Sequence, residues 1–383
     1  MTTTATLPPR LPGTPLVVQR APFEHIPRAA WDRLLGQSPG ATPFSDWTFQ
    51  RAWWDAYAET ARQHYLVVTD VPAKLPDLRA SDAEVIRSIV PLMWRRMPDG
   101  SSTLFMAASY HADYATILAH PDDLAAVAAS VAPELLPFGG PTAISDEMSP
   151  GHWNVVDLRR WREADPARVA LREAMEATAP AAGWQVRQER EDVCPVVTLA
   201  SDLETQLAGL TKKARHEVRR KLRRAERSGA VRLRYLPLEA GSVKHLIALH
   251  QARWGEKGLF TATEEGERAR TLLHRLVELE AQEGSAARFH LADVQVGDRV
   301  VYALAGFDDG VTTYFYNAGM DPEARDLSPG VVGTAVYMGE RIAAGRQRFD
   351  FLRGDEDYKY EWWACDEPVH RWVATRTGLE GTC

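Results

Sequence analysis

In residues 212–227 the apolar positions Ala214, Val218, Leu222 and Ala225 recur every three or four residues between charged ones. That spacing predicts an amphipathic helix with one narrow apolar stripe. Thr211 stands where an N-cap belongs, and Gly229 stops the run. Upstream, Ser201 and Glu204 have capping-box spacing, which predicts a short helix ending near Gly209. Downstream, VRLRYL (231–236) alternates apolar and polar, as a half-buried strand does. Residues 241–257 and 264–283 read as two helices, with Leu246, Leu249, Trp254, Leu272, Leu276 and Leu279 facing inward. Three strands follow, RFHLADV, RVVYALAGF and TTYFYNAG, joined by VGD and DDG turns suited to hairpins. The loop DPEARDLSPG leads into a helix over 331–344, ended by Gly345. RFDFL (348–352) predicts a strand, and HRWVATR a last one.

The first half repeats this order more loosely. LVVQR (16–20) predicts a strand. Residues 27–36 predict a helix, with Pro27 near its start and Gly36 near its end. A second helix is predicted from Asp46 to Arg62. Its aromatics Trp47, Phe49, Trp53, Trp54 and Tyr57 are too many for a narrow stripe, so most belong to a core. Strand-like runs follow at YLVVTDV, VIRSIVPLMWR, STLFMA and YATILA, then helices over 122–135 and 164–182, with WNVVDL and WQVRQE as further strands. The fold class is therefore α/β (α+β), with two domains in tandem. Each is a mixed, mostly antiparallel sheet flanked by helices. The expected boundaries are a flexible leader over 1–15, one domain over 16–193 and a second over 194–383.

Length agrees, since 383 residues suit two domains. A net charge of -7 excludes a generic nucleic-acid binder and leaves room only for a local basic patch. Cys194, Cys365 and Cys383 form neither a CxxC pair nor a zinc-ligand spacing, so no metal site and a reducing compartment are expected. The N-terminus has no continuous apolar core of a secretory signal, and no apolar run is long enough for a membrane span. A cytoplasmic protein is expected, monomeric or dimeric, with no DNA partner and no integral membrane association.

Four segments could carry chemistry. Ser328-Pro329-Gly330-Val331-Val332-Gly333 joins a strand to a helix, and orphan amides at a helix N-terminus bind anions. FDFLRGDEDYKYEWW (349–363) crowds Asp350, Arg353, Glu356, Tyr358 and Lys359 at a strand end, beside a Trp362–Trp363 pair that reads as an exposed binding edge. The helix from Lys212 to Arg227 holds nine cations against two acids. It reads as a solvated face, a tRNA contact, or an attractor of anionic ligands through residues such as Arg219 and Arg223. In the first half, His111 and Asp113 follow a strand, either as satisfied loop residues or as part of a substrate-binding cleft.

The ordered set LTKKARHEVRRKLRR, LHQARWGEKGLF, YFYNAGMD, SPGVVGTAVY and FDFLRGDEDYKYEWW, with PFSDWTFQRAWWDAYA near the start, resembles the GNAT superfamily. Within it the set is similar to the cellulose-biosynthesis acetyltransferase subfamily, related to Fem-type aminoacyl transferases with two tandem GNAT-like domains. The resemblance implies an acetyl-CoA or other acyl-CoA co-substrate. Its pantetheine arm would lie along the strand holding Asn317, and its pyrophosphate at Ser328, Gly330, Val331, Val332 and Gly333. Leu327 and Val332 stand where the family motif has Gln/Arg and its second Gly/Ala. The resemblance further implies Asp350 or Glu356 as base and Tyr358 as acid, with Arg353 and Lys359 holding a phosphate or carboxylate of the substrate. The implied activity is acyl transfer to an amine or hydroxyl of a small molecule, sugar or cell-envelope precursor. Alternatives are aminoacyl transfer from charged tRNA, and a non-catalytic binding protein that keeps only the fold.

Overall fold

The computed structural model describes residues 15–71, 80–138, 153–283 and 288–377. The leader expected over 1–15 lies, but for Pro15, outside the described residues. In chain order the strands and helices of the first half are β1 (Val17–Ala21), α1 (Arg28–Gln37), α2 (Trp47–Tyr57), β2 (Arg62–Gln63), β3 (Tyr65–Thr69), β4 (Ile86–Val90), β5 (Leu92–Arg96), β6 (Ser102–Met106), β7 (Leu118–Ala119), α3 (Leu124–Leu135), β8 (Val155–Arg162), α4 (Pro166–Ala182) and β9 (Trp184–Thr198). The second half has α5 (Leu203–Gly209), α6 (Lys212–Ser228), β10 (Val231–Leu236), α7 (Ala240–Trp254), α8 (Glu264–Glu283), β11 (Phe289–Val296), β12 (Arg299–Asp308), β13 (Thr312–Met320), α9 (Pro329–Ala343), β14 (Arg348–Asp350), α10 (Asp357–Tyr360) and β15 (Cys365–Arg376).

Two compact α/β units result, in the tandem arrangement expected. The first gathers the chain up to Gln50, then Tyr57–Glu191, then the segment from Pro368; the second gathers Arg51–Ala56 and Asp192–Glu367. Two boundaries depart from the expected ones. The terminal strand returns to the first unit, where Val369–Thr375 pairs antiparallel with β8. Conversely, Arg51–Ala56 belongs with the second unit, where Asp55 accepts a hydrogen bond from Arg275 of α8. Neither exchange has a local sequence signal, because both depend on partners some 200 residues away.

In the first unit β1, β3, β4 and β7 form one antiparallel sheet, while β2, β5, β6, β8 and β15 line up in another. The run VIRSIVPLMWR is divided between them at Pro91. β4 pairs with β3 and β7, whereas β5 pairs with β6. Proline has no N–H to give a ladder, so the run breaks there and its halves take different partners. Leu104, Val156, Leu171, Met175 and Trp372 belong to this unit's buried core.

In the second unit the strand order is β10-β11-β12-β13-β14-β9, antiparallel except for the parallel pair β13–β14. Tyr302 and Phe315 share a core with Val332, Ala335 and Tyr337 of α9. On the other face α7 lies against β12 and β13, and α8 against β11. Helix α6 packs on α9 through its predicted stripe, with Val218 and Ala225 buried. Thr211 caps it, accepting from Ala214 N–H at 3.2 Å. The short helix before it is capped by Asp202, whose Oδ1 accepts from Thr205 N–H at 2.7 Å, in place of the predicted Ser201.

Candidate functional site

β13 and β14 run parallel for only three pairs, Thr312↔Arg348, Thr313↔Phe349 and Tyr314↔Asp350. β14 ends at Asp350, whereas β13 continues to Met320. Beyond Tyr314, β13 therefore has no strand beside it on the β14 side among the described residues. The gap opens where β13 also carries a bulge. Gly306 of β12 opposes Phe315 and Ala305 opposes Asn317, so Tyr316 is the extra residue. A sheet interior with an unpaired edge leaves strand amides and carbonyls for an extended ligand.

α9 begins at the same end. It starts at Pro329, two residues earlier than predicted, because proline's fixed φ and missing N–H suit a first helical position. Ser328 is the N-cap, in left-handed conformation (φ 53, ψ 55), and its side chain makes no capping bond. Val331 and Val332 both donate to Ser328 O at 3.1 Å. With Pro329 lacking an N–H, Gly330 has the first-turn amide for which the helix supplies no acceptor. The cradle expected over 328–333 therefore contracts to its first half. Val332 and Gly333 are buried helix interior. A Cβ on Gly333 would lie 2.4 Å from Tyr302 Cδ1, so this glycine lets α9 sit close on β12 and does not meet a phosphate.

The segment after β14 closes the other side of the gap. Phe349 and Phe351 pack with Phe315, at ring separations of 5.8 and 5.9 Å, on the α9 face. Strand alternation places Asp350, between them, on the opposite face. Asp350 is buried at the last paired position, and its Oδ1 accepts from Leu352 N–H at 2.7 Å. Tyr358, half-exposed, sets its ring edge-on to Phe351 at 6.0 Å. Burial, with Glu356 adding to it, pushes the Tyr358 phenol above the usual tyrosine range, so it holds its proton at neutral pH. Burial raises Tyr302 as well, in the core beneath α9.

Lys359 does something different from the substrate contact expected. It is buried, and its Nζ donates to the carbonyls of Leu352 (3.1 Å), Arg353 (2.8 Å) and Gly354 (3.0 Å), while pairing with Glu356 at 2.8 Å. An ammonium has three N–H donors, and all of them are taken by this loop. Lys359 is a hub that folds the 352–356 turn, which includes the left-handed Leu352 (φ 59). Glu356, the alternative base, is thereby held in an ion pair. Arg353 stands 3.9 Å from Asp192. The tryptophan pair splits, with Trp362 buried and Trp363 61% exposed over Gly209.

Other expected site residues lie elsewhere. His111 is buried in the first unit, its ring nitrogen hydrogen-bonded to the Tyr57 hydroxyl. That makes it a satisfied core histidine, and Asp113 is half-buried in the same turn. Asn317 borders a narrow apolar hollow with Tyr316, Leu259, Phe260 and Leu272, on the α7–α8 side. The bulge sends Tyr316 and Asn317 there together, so the Asn317 side chain turns from the face that carries α9. Arg219 pairs with Glu204 at 2.5 Å, and Arg223 is exposed on α6. Among the described residues no group of three or more His, Cys, Asp or Glu could hold a metal, and no helix is long and apolar enough to cross a membrane. Sequence reasoning missed the bulge at Tyr316, for which strand patterning carries no signal.

A family model described as an acetyltransferase (GNAT) domain matches residues 212–360, which include the gap, α9 and the loop after β14. The crystal structure of FemX superposes with a TM-score of 0.58 at 8% identity, covering 93% of this chain and 96% of that one. A conserved protein of unknown function from Bacteroides thetaiotaomicron gives 0.54 at 12% identity, covering 94% of this chain and 100% of that one. No curated protein matches in sequence. At such identities the likeness is one of fold, and over residues 212–360 that fold is GNAT-like.

Proposed function

From the GNAT-domain fold over residues 212–360, we propose that this chain transfers an acyl group from an acyl-CoA to an amine or hydroxyl of a small molecule, sugar or cell-envelope precursor. One observation carries the reading: β13 loses β14 after Tyr314↔Asp350, and the first turn of α9 lies at the open end of that gap. An extended pantetheine arm can pair with the freed edge of β13 while Gly330 N–H and the positive end of α9 receive the pyrophosphate. Gly330 suits this, since its added Cβ would meet only Met320 at 3.2 Å, the end of a flexible side chain.

A bound acyl-CoA supplies an activated acyl carbon; the chain's residues supply position and protons. Asp350, at the point where the strands part, takes the proton from the attacking amine or hydroxyl, directly or through a water. Tyr358 returns a proton to the sulfur as the carbon–sulfur bond breaks and the new carbon–nitrogen or carbon–oxygen bond forms. Its raised pKa keeps that proton in place through neutral pH. The aromatic wall of Phe315, Phe349 and Phe351 excludes water from this apex.

The test is binding of acetyl-CoA by calorimetry and thermal shift. Saturation at about 100 times Kd raises stability by about 2.7 kcal/mol by mass action. Gly330→Glu, placing an acid at the proposed pyrophosphate position, abolishes that gain. Absence of any response to millimolar acetyl-CoA or longer acyl-CoAs overturns the reading.

A further inference from the structure

α6 precedes the first strand of the gap-forming sheet, and its cations have no part in the chemistry above. Its two flanks are used differently. On one, Arg215 donates to Ala208 O and Arg219 pairs with Glu204, both toward α5. On the other, Arg224 donates to Asp326 O, in the 322–327 turn that leads directly into α9. Lys221, three residues earlier, shares that flank. The turn adds its own cation, the exposed Arg325. Neighbouring acids are already engaged: Arg299 takes Asp321 at 2.5 Å and Glu323 at 3.7 Å, and Arg220 takes Glu217 at 2.7 Å. Lys221 also acts on Glu217, and Asp326 adds an acid within the turn itself.

Arg224 and Arg325 thus bring cations from two separate elements to the turn that leads into α9, with Lys221 one helical turn from Arg224. A donor whose thioester reaches inward to the apex and whose pyrophosphate meets Gly330 must direct its nucleotide outward, past the 322–327 turn. The nucleotide end of CoA carries a ribose 3′-phosphate, a dianion that binds well only where cations receive it. We infer that Lys221, Arg224 and Arg325 form a clamp for the ribose 3′-phosphate of the acyl-CoA donor, making α6 a donor-specificity element. This rests on the donor reading above and adds to it a preference for the 3′-phosphorylated nucleotide.

The experiment compares acetyl-CoA with acetyl-3′-dephospho-CoA by titration calorimetry on the full chain, wild type and Lys221→Gln/Arg325→Gln. Arg224 is left intact because it also ties the turn. The wild type is expected to prefer acetyl-CoA by about 10-fold or more, as for hydrogen bonds to a charged group. The double variant is expected to lose most of that preference while binding the dephospho compound as the wild type does, which shows that its gap is intact. Equal wild-type binding of the two compounds overturns the clamp and leaves the donor reading standing, as does a double variant that keeps the full preference. Binding of neither compound overturns the donor reading and the clamp with it.

Discussion

Replacing Lys359 by methionine separates two roles that a lysine beside a catalytic loop can play. Methionine keeps most of the apolar stem's volume and removes the ammonium. In the folded protein that ammonium serves the carbonyls of Leu352, Arg353 and Gly354 at 2.8 to 3.1 Å, from a residue 2% exposed. Each of these acceptors, one buried and two partly buried, costs about 1 kcal/mol when left unmet. Glu356 loses its partner too, but its side chain is 59% exposed and hydrates, so that pair adds little. Three carbonyls give a loss of about 3 kcal/mol, within the range for mutations that break a buried polar network. Urea unfolding with an unchanged m-value measures it. Because the loop also carries Tyr358, turnover falls with stability. Arginine does not restore either, since its planar fork cannot point three donors at three successive carbonyls. If Lys359→Met unfolds within about 0.5 kcal/mol of wild type and raises only the acceptor KM, the hub assignment is wrong and the lysine binds substrate.

Three further outcomes follow from the geometry. Gly333→Ala puts a Cβ 2.4 Å from the Tyr302 ring and overpacks the α9–β12 contact; chemical denaturation is expected to show a loss of about 1–3 kcal/mol, despite alanine's better helix propensity. Tyr358→Phe keeps the ring against Phe351 and removes the proton donor, so kcat falls about 100-fold or more with little change in donor affinity; an unchanged kcat assigns the proton to water. Burial, with Arg20 adding for His64, lowers His64 to about 3 and His250 to about 4. Both folded-state values lie below the unfolded one near 6.5, so the unfolded chain binds more protons and stability falls with pH below 6.5. Between pH 6.5 and 5 the loss is about 1.6 kcal/mol per histidine, read from urea midpoints at the two pH values, and His250→Gln removes its share.

Much of this protein is legible along the chain because the causes are local. The stripe Ala214, Val218, Leu222 and Ala225, the Thr211 cap, the turns at Gly297 and Gly310 and the proline-started α9 involve residues only a few positions apart. Their physics is complete within a turn of helix or a hairpin. The order of elements in 311–353 likewise pointed to a strand–loop–helix–strand unit with an anion-binding end. What tertiary structure alone decided is pairing and burial. Pro91 divides one apolar run between two sheets, β15 returns to the first unit, and β14 stops pairing at Asp350 while β13 continues past its bulge. Lys359, a residue type that composition places on surfaces, is buried because three carbonyls of its own loop converge on it. Gly333 meets a tyrosine instead of a phosphate because helix α9 begins earlier and turns that position inward. Period and propensity say which face a residue occupies within its element; which partner that face meets is set by contacts distant in sequence, whose closure no local pattern encodes.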